Sequence, residues 1–147
     1  MSYKYRTVAL MMDIALRVAQ ESRDKKKVGA VIFRGTSILS YGYNGTVSGT
    51  DNTMRDHNGK TKNTVIHAEQ NAIAKLAKST LSGEGAYMAS TLLPCATCAT
   101  SIAQSGIKRI YFVEYYKDTS AIEIFSQAGI EVTHIELKQI ERKEKNF

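Results

Sequence analysis

The 147 residues fit one domain of ordinary size, and a hydrophobic content of 43% spread along nearly the whole chain excludes a disordered polypeptide and permits a packed core. The two cysteines, Cys95 and Cys98, lie so close in sequence that a disulfide between them would restrain almost no chain, which excludes a disulfide framework. Twenty basic against fourteen acidic residues leave a net charge of +6, a balance that suits an anionic partner such as a nucleotide or nucleic acid without requiring one.

Residues 5–21 read as an amphipathic helix, with Val8, Met11, Met12, Ala15, Leu16 and Ala19 at near-helical spacing. Asp13 and Arg17 interrupt its apolar run, so it is too short and too polar to span a bilayer. With no secretory pattern visible and only two cysteines, a soluble cytoplasmic protein is expected. Residues 28–33 and 38–43 read as two strands of a hairpin turning through Arg34-Gly35-Thr36-Ser37. Periodicity is then lost over residues 44–64, about 20 residues rich in Gly, Asn, Thr and Asp, a length that usually marks a functional loop. Helix is expected again over 67–78, a strand over 86–91, and a helix over 96–104 stopped by Ser105-Gly106. A buried strand follows over 107–113, its apolar run including Tyr111 and Phe112, then a helix over 120–128 closed by Gly129, a last strand over 130–135 and a charged tail from about 136. The order α-β-β-α-β-α-β-α-β predicts a single α/β domain over 1–147: a three-layer α-β-α sandwich around a mixed five-stranded sheet. Its first pair is antiparallel and its later crossovers parallel.

Two short motifs carry the chemistry, each at a predicted helix start: His67-Ala68-Glu69 and Pro94-Cys95-Ala96-Thr97-Cys98. Cys95 and Cys98, at i and i+3, share one helix face, and a helix N-terminus favours thiolate over thiol. Pro94 suits the first helical position, where its missing N–H costs nothing. On its own the Cys-x-x-Cys is compatible with a redox pair as well as a zinc site. With His67 it makes three metal ligands, whereas structural zinc sites close with four, so an open, catalytic zinc is expected. Residues two apart in a regular helix point in different directions, so Glu69 is assigned to proton transfer beside the metal rather than to ligation. The His-x-Glu … Pro-Cys-x-x-Cys order is the signature of zinc nucleobase deaminases, whose metal lowers the pKa of water to about 7 while the glutamate acts as general base and then acid.

Beyond these motifs, the stretches Val28-Gly29-Ala30-Val31-Ile32, Gly42-Tyr43-Asn44-Gly45-Thr46, His67-Ala68-Glu69-Gln70-Asn71-Ala72-Ile73 and Ala103-Gln104-Ser105-Gly106-Ile107-Lys108 give the chain its likeness to a family. It resembles the deoxycytidylate (dCMP) deaminases of the cytidine deaminase-like fold, the phage members most of all, from the first helix to about residue 135. The Gly-Tyr-Asn-Gly loop is the part specific to that subfamily. The resemblance implies a hydrolase that converts dCMP to dUMP with release of ammonia, feeding dTTP synthesis in pyrimidine metabolism. It further implies a homohexamer in the cytoplasm (the host's, if phage-encoded), activated by dCTP and inhibited by dTTP, with Mg2+ accompanying the triphosphate. Residue by residue, it implies that Asn44 contacts the sugar, that Ala68 offers its backbone N–H to the pyrimidine, and that Tyr116 lies near the substrate. Lys27, Gly42, Tyr43, Asn44 and Gly45 are candidates for the effector, as is the whole stretch Lys25-Lys26-Lys27. His57 matches a ligand of a second, structural zinc found in some phage members. Its cysteine partners are missing and Arg23, Asp24 and Lys25 stand in their region, so one zinc is expected and His57 is left to the substrate, the effector or a plain loop. His134, in the last strand, reads as a surface or satisfied histidine. The rival readings are a deaminase of another nucleotide or of a polynucleotide such as tRNA, and a nucleotide-binding sensor that keeps zinc for stability.

Overall fold

Strand β1, Gly29–Arg34, buries five of its six residues, so both of its faces must be covered and it must lie inside a sheet. It pairs antiparallel with β2, Ser37–Tyr43, through a turn in which Gly35 takes a left-handed φ of 61°. The structure, a computed structural model, describes residues 5–137. Two short strands, β3 (Gly45–Thr46) and β4 (Val65–Ile66), pair with each other. Strands β5 (Tyr87–Leu92), β6 (Arg109–Glu114) and β7 (Glu131–His134) complete a five-stranded sheet of order β2-β1-β5-β6-β7. β5, β6 and β7 run parallel to one another, and β1 runs antiparallel to β5. The expected mixed sheet is therefore present.

The helices are α1 (Tyr5–Ala19), α2 (Ala68–Ala77), α3 (Ala96–Gln104) and α4 (Ser120–Gln127). Side chains of a strand alternate between faces, and the odd positions Val31, Phe33, Ala89 and Tyr111 pack with Val8, Met11, Met12 and Ala15 of α1. The even positions Ala30, Ile32, Met88, Ile110 and Phe112 form the second core with α2, α3 and α4. Among the described residues three layers result, with one helix on one face and three on the other. Every residue of the predicted α1 stripe is buried except Leu16, which is half-buried. Among the described residues, no helix is long and apolar enough to cross a membrane.

Two features depart from the expectation. The segment 44–64 is not structureless: the β3–β4 ladder closes its base, a bridge joins Arg55 to Thr61, and Met54 is tucked in at 5% exposure. Two-residue strands carry no readable period. Cys95 and His67 are N-caps with extended backbones rather than helical residues, which places Pro94 one residue ahead of the cap. There it biases Leu93 towards the extended conformation in which the chain leaves β5. The tail beyond residue 137 lies outside the described residues.

The second layer sits close to the sheet because of Gly42. A Cβ at this position would meet the Ala68 carbonyl oxygen at 2.5 Å and the Ala72 nitrogen at 2.6 Å, both rigid backbone atoms of α2. Ser40 fixes the same approach by donating to the Ala72 carbonyl at 2.7 Å. Gly42→Ala is expected to push α2 outwards and destabilise the fold by about 1–3 kcal/mol. Urea unfolding measures this, and an unchanged midpoint would show that the contact is not as tight as described.

Candidate metal centre and active site

The parallel strands β5 and β6 end side by side, Leu92 paired with Glu114, and the chain turns from the end of β5 into α3. Ligand sites of α/β folds form outside such carboxyl ends. Cys95 caps α3 with φ −74° and ψ 169°, and Cys98 is the third residue of the helix. N-cap and N3 side chains face one another, as they do in a capping box, so one ion can meet both sulfurs. His67 caps α2 in the same extended conformation, φ −73° and ψ 158°, while Gln70 Oε1 accepts from the His67 N–H at 3.2 Å and fixes the turn. Asn71 binds α2 to the segment before it, its Nδ2 donating to the Tyr43 carbonyl at 3.0 Å.

The ligand atoms of His67, Cys95 and Cys98 all lie within 4.8 Å of one another, the one such group among the described residues. His67 Nδ1 is 3.2 Å from Cys98 Sγ and 3.6 Å from Cys95 Sγ. A tetrahedral ion with zinc-like bonds sets its nitrogen and sulfur ligands about 3.6 Å apart, and an imidazole with two sulfurs is a zinc donor set. The residues therefore fit zinc. With three protein donors the fourth position is left to the adjoining cavity.

Glu69, the second helical residue of α2, is only 4% exposed and exchanges a hydrogen bond with Cys98. Burial pushes its carboxyl from the usual 4.5 up to about 7, against smaller lowering effects from its own backbone N–H and from Cys98. Burial likewise pushes the Cys98 thiol strongly upwards, helped by Glu69 and Cys95. The helix N-terminus favours the thiolate and burial opposes it. Cys98 is fully buried between an acid and a second sulfur, and without a cation that environment outweighs the partial charge of the helix end.

A cavity of about 230 Å3 opens onto this cluster and is lined by Glu69, His67, Cys95, Ala68, Asn44 and Tyr116. All the residues expected to touch substrate or proton thus share one space. Ala68 is the first helical residue, so its N–H has no intrahelical acceptor. Asn44 is held in the wall: Oδ1 accepts from the Val28 N–H at 2.9 Å and Nδ2 donates to the Lys26 carbonyl at 2.8 Å. One amide hydrogen and one lone pair are left over. The same cavity is lined by Asp24, Lys26, Arg55 and Thr61, which the sequence reading did not assign to the substrate. Arg55 and Thr61 sit in the segment without a pattern, and no sequence signal marks them.

The larger cavity, about 490 Å3, is a separate one that none of the metal-cluster residues lines. Tyr43 and Gly45 line it with Arg23, Asn71, Lys75 and Lys78. Of the other effector candidates, Gly42 and Lys27 line neither cavity; Gly42 is accounted for by packing against α2, and the Lys27 ammonium donates to the Ser22 carbonyl. His57 is exposed and also lines neither cavity. His134 is bonded at 2.7 Å to the Val113 carbonyl.

A model of the cytidine and deoxycytidylate deaminase zinc-binding region matches residues 6–114. The chain is 34% identical to the deoxycytidylate deaminase of Enterobacteria phage T4, over 90% of this chain and 91% of that one. It is 38% identical to ComE operon protein 2 of Bacillus subtilis over 77% of its own length, and spans 62% of that relative. The crystal structure of the dCMP deaminase of cyanophage S-TIM5 in complex with dCMP and dUMP superposes with a TM-score of 0.88 at 38% identity, covering 91% of this chain and all of that one. The chain belongs to the cytidine and deoxycytidylate deaminase family.

In metal-free protein the raised pKa of Glu69 has a consequence for stability. The unfolded carboxyl releases its proton near 4.5 and the folded one near 7, so the fold loses stability as pH rises from about 4.5 to 7 and loses no more above that. Glu69→Gln removes this loss. Urea titrations of both metal-free proteins should show the variant gaining about 3 kcal/mol on the wild type between pH 5 and pH 8. Parallel curves would show that Glu69 is not held neutral.

Proposed function

We propose that this member of the family is a zinc-dependent deoxycytidylate deaminase that converts dCMP and water to dUMP and ammonia. The observation that carries the reading is a buried carboxyl, poised near neutrality, beside a three-donor metal cluster in a cavity that also holds Asn44 and Tyr116. The activity of the phage relatives supports the choice of substrate.

His67, Cys95 and Cys98 would hold the zinc. Bound there, zinc supplies Lewis acidity that brings the pKa of water to about 7. Glu69 does the rest of the proton work. Overall a C–O bond forms at C4 of the pyrimidine and the C4–N4 bond breaks, with one water proton ending on ring N3 and the other on the departing ammonia. A single buried carboxyl can deliver both in turn, acting as base and then as acid. The Ala68 N–H orients the pyrimidine edge, and the spare donor and acceptor of Asn44 meet the sugar. Tyr116, half-buried just beyond β6, closes the wall.

Regulation belongs to the same proposal. The 490 Å3 cavity, with Arg23, Lys75 and Lys78 at its walls beside Tyr43 and Gly45, has the charge and size for a nucleoside triphosphate. dCTP with Mg2+ would activate from there and dTTP would inhibit. Asn71 couples the two sites, since it lines this cavity and follows His67 on α2 by one helical turn. The working form is a homohexamer in the cytoplasm.

Zinc-loaded protein incubated with dCMP should release ammonia and form dUMP, and Glu69→Ala should lower kcat by about 10²–10⁴. Deamination of tRNA without any of dCMP, or equal turnover by the variant, would overturn the proposal.

A further inference from the structure

A nucleotide differs from a nucleoside by an anionic phosphate, and the metal cavity must have a means of telling the two apart. Apart from the metal ligand His67, its cationic lining residues are Lys26 and Arg55. Arg55 is held firmly: Nε donates to Asp24 Oδ1 at 3.1 Å and Nη2 to Asp24 Oδ2 at 3.2 Å. Asp24 is only 13% exposed and is itself fixed, with Oδ1 accepting from the Lys25 N–H at 2.8 Å and its own N–H donating to Ser22 Oγ at 3.2 Å. Ser22 Oγ in turn donates to the Asn44 carbonyl at 2.8 Å. The chain of contacts thus joins the guanidinium to the residue assigned to the sugar.

One edge of the guanidinium is committed to Asp24. The other is nearly idle, because Nη1 makes only long contacts to the Gly59 carbonyl at 3.4 Å and to Thr61 Oγ1 at 3.5 Å. A planar fork anchored on one side, with a hydroxyl beside its free side, is preorganised for an oxyanion. Lys26 meets Glu114 at 2.6 Å, but both side chains are more than half exposed, and pairs of that kind contribute little. A phosphate dianion can therefore draw the ammonium from Glu114 at small cost.

We infer that Arg55, oriented by Asp24, reads the 5′-phosphate of the nucleotide in the metal cavity, while Lys26 adds charge. The inference rests on the reading of this cavity as a deoxynucleotide site and names the residues that restrict it to the monophosphate-bearing substrate. Arg55 determines specificity, and Asp24 is a positioning residue that acts through it. A guanidinium that only tied the segment 47–64 in place would affect nucleoside and nucleotide alike, which separates the two roles.

The test is equilibrium binding of dUMP and of deoxyuridine to the zinc-loaded protein by calorimetry, in wild type, Arg55→Ala, Arg55→Lys and Asp24→Asn. Wild type should prefer dUMP, and Arg55→Ala should cut the ratio of the two affinities by about 10–100-fold, the loss of one or two charge-assisted hydrogen bonds. Arg55→Lys, which keeps the charge but not the fork, should cut it by about 3–10-fold, and Asp24→Asn should fall between this and wild type. No preference for dUMP in wild type, or an unchanged ratio in Arg55→Ala, overturns the inference. If the alanine variant loses both ligands along with its fold, the lysine variant decides by the same criterion. Binding is read without turnover, so a protein that selects dUMP through Arg55 yet releases no ammonia from dCMP keeps this inference and loses the deaminase reading.

Discussion

A buried carboxyl and a buried thiol lie beside each other at the N-termini of α2 and α3, next to His67 and Cys95, which complete a zinc-type donor set with the thiol. Burial raises the cost of ionising both, and Glu69 adds to that cost for Cys98, while the Cys98 thiol gives Glu69 only a smaller lowering effect. Without a cation Cys98 keeps its proton and Glu69 holds its own up to about pH 7. A divalent ion at His67, Cys95 and Cys98 would remove the conflict by taking the place of the thiol protons.

That geometry depends on features some distance from it. Two of the three candidate ligands, His67 and Cys95, are N-caps, where the backbone is still extended and a side chain can reach the same volume as Cys98 in the first turn of α3. α2 can stand close enough only because Gly42 has no Cβ. The cavity wall opposite the metal is held by polar contacts rather than by apolar packing: Asn44 clamps the backbone at 26 and 28, Ser22 holds Asn44, and Asp24 joins Arg55 to that network. Hydrogen bonds of this kind define position well and leave spare donors for a polar ligand.

The sequence made the core and the metal legible for different reasons. The stripes of α1 and the apolar runs of β1 and β6 are long enough to show a period, and the metal ligands are rare residue types at a fixed spacing. The β3–β4 ladder was hidden because two residues cannot show alternation. Arg55 was hidden because its meaning lies in a partner 31 residues away, Asp24, and in a segment whose local pattern says only "loop". Lys27 and Gly42 show the opposite case. Both lie in or next to informative motifs, but one side chain is turned onto a backbone carbonyl and the other position is needed for close packing. Adjacency in sequence did not translate into a shared cavity.

The proposed chemistry depends on one ion held by His67, Cys95 and Cys98. X-ray absorption at the zinc edge, on protein purified without added metal or chelator, tests this most directly. The account predicts one zinc per chain with two sulfur scatterers at about 2.3 Å, one imidazole nitrogen at about 2.0–2.1 Å and one further light atom. Metal-free protein, or zinc surrounded by four protein sulfur and nitrogen ligands, would contradict it.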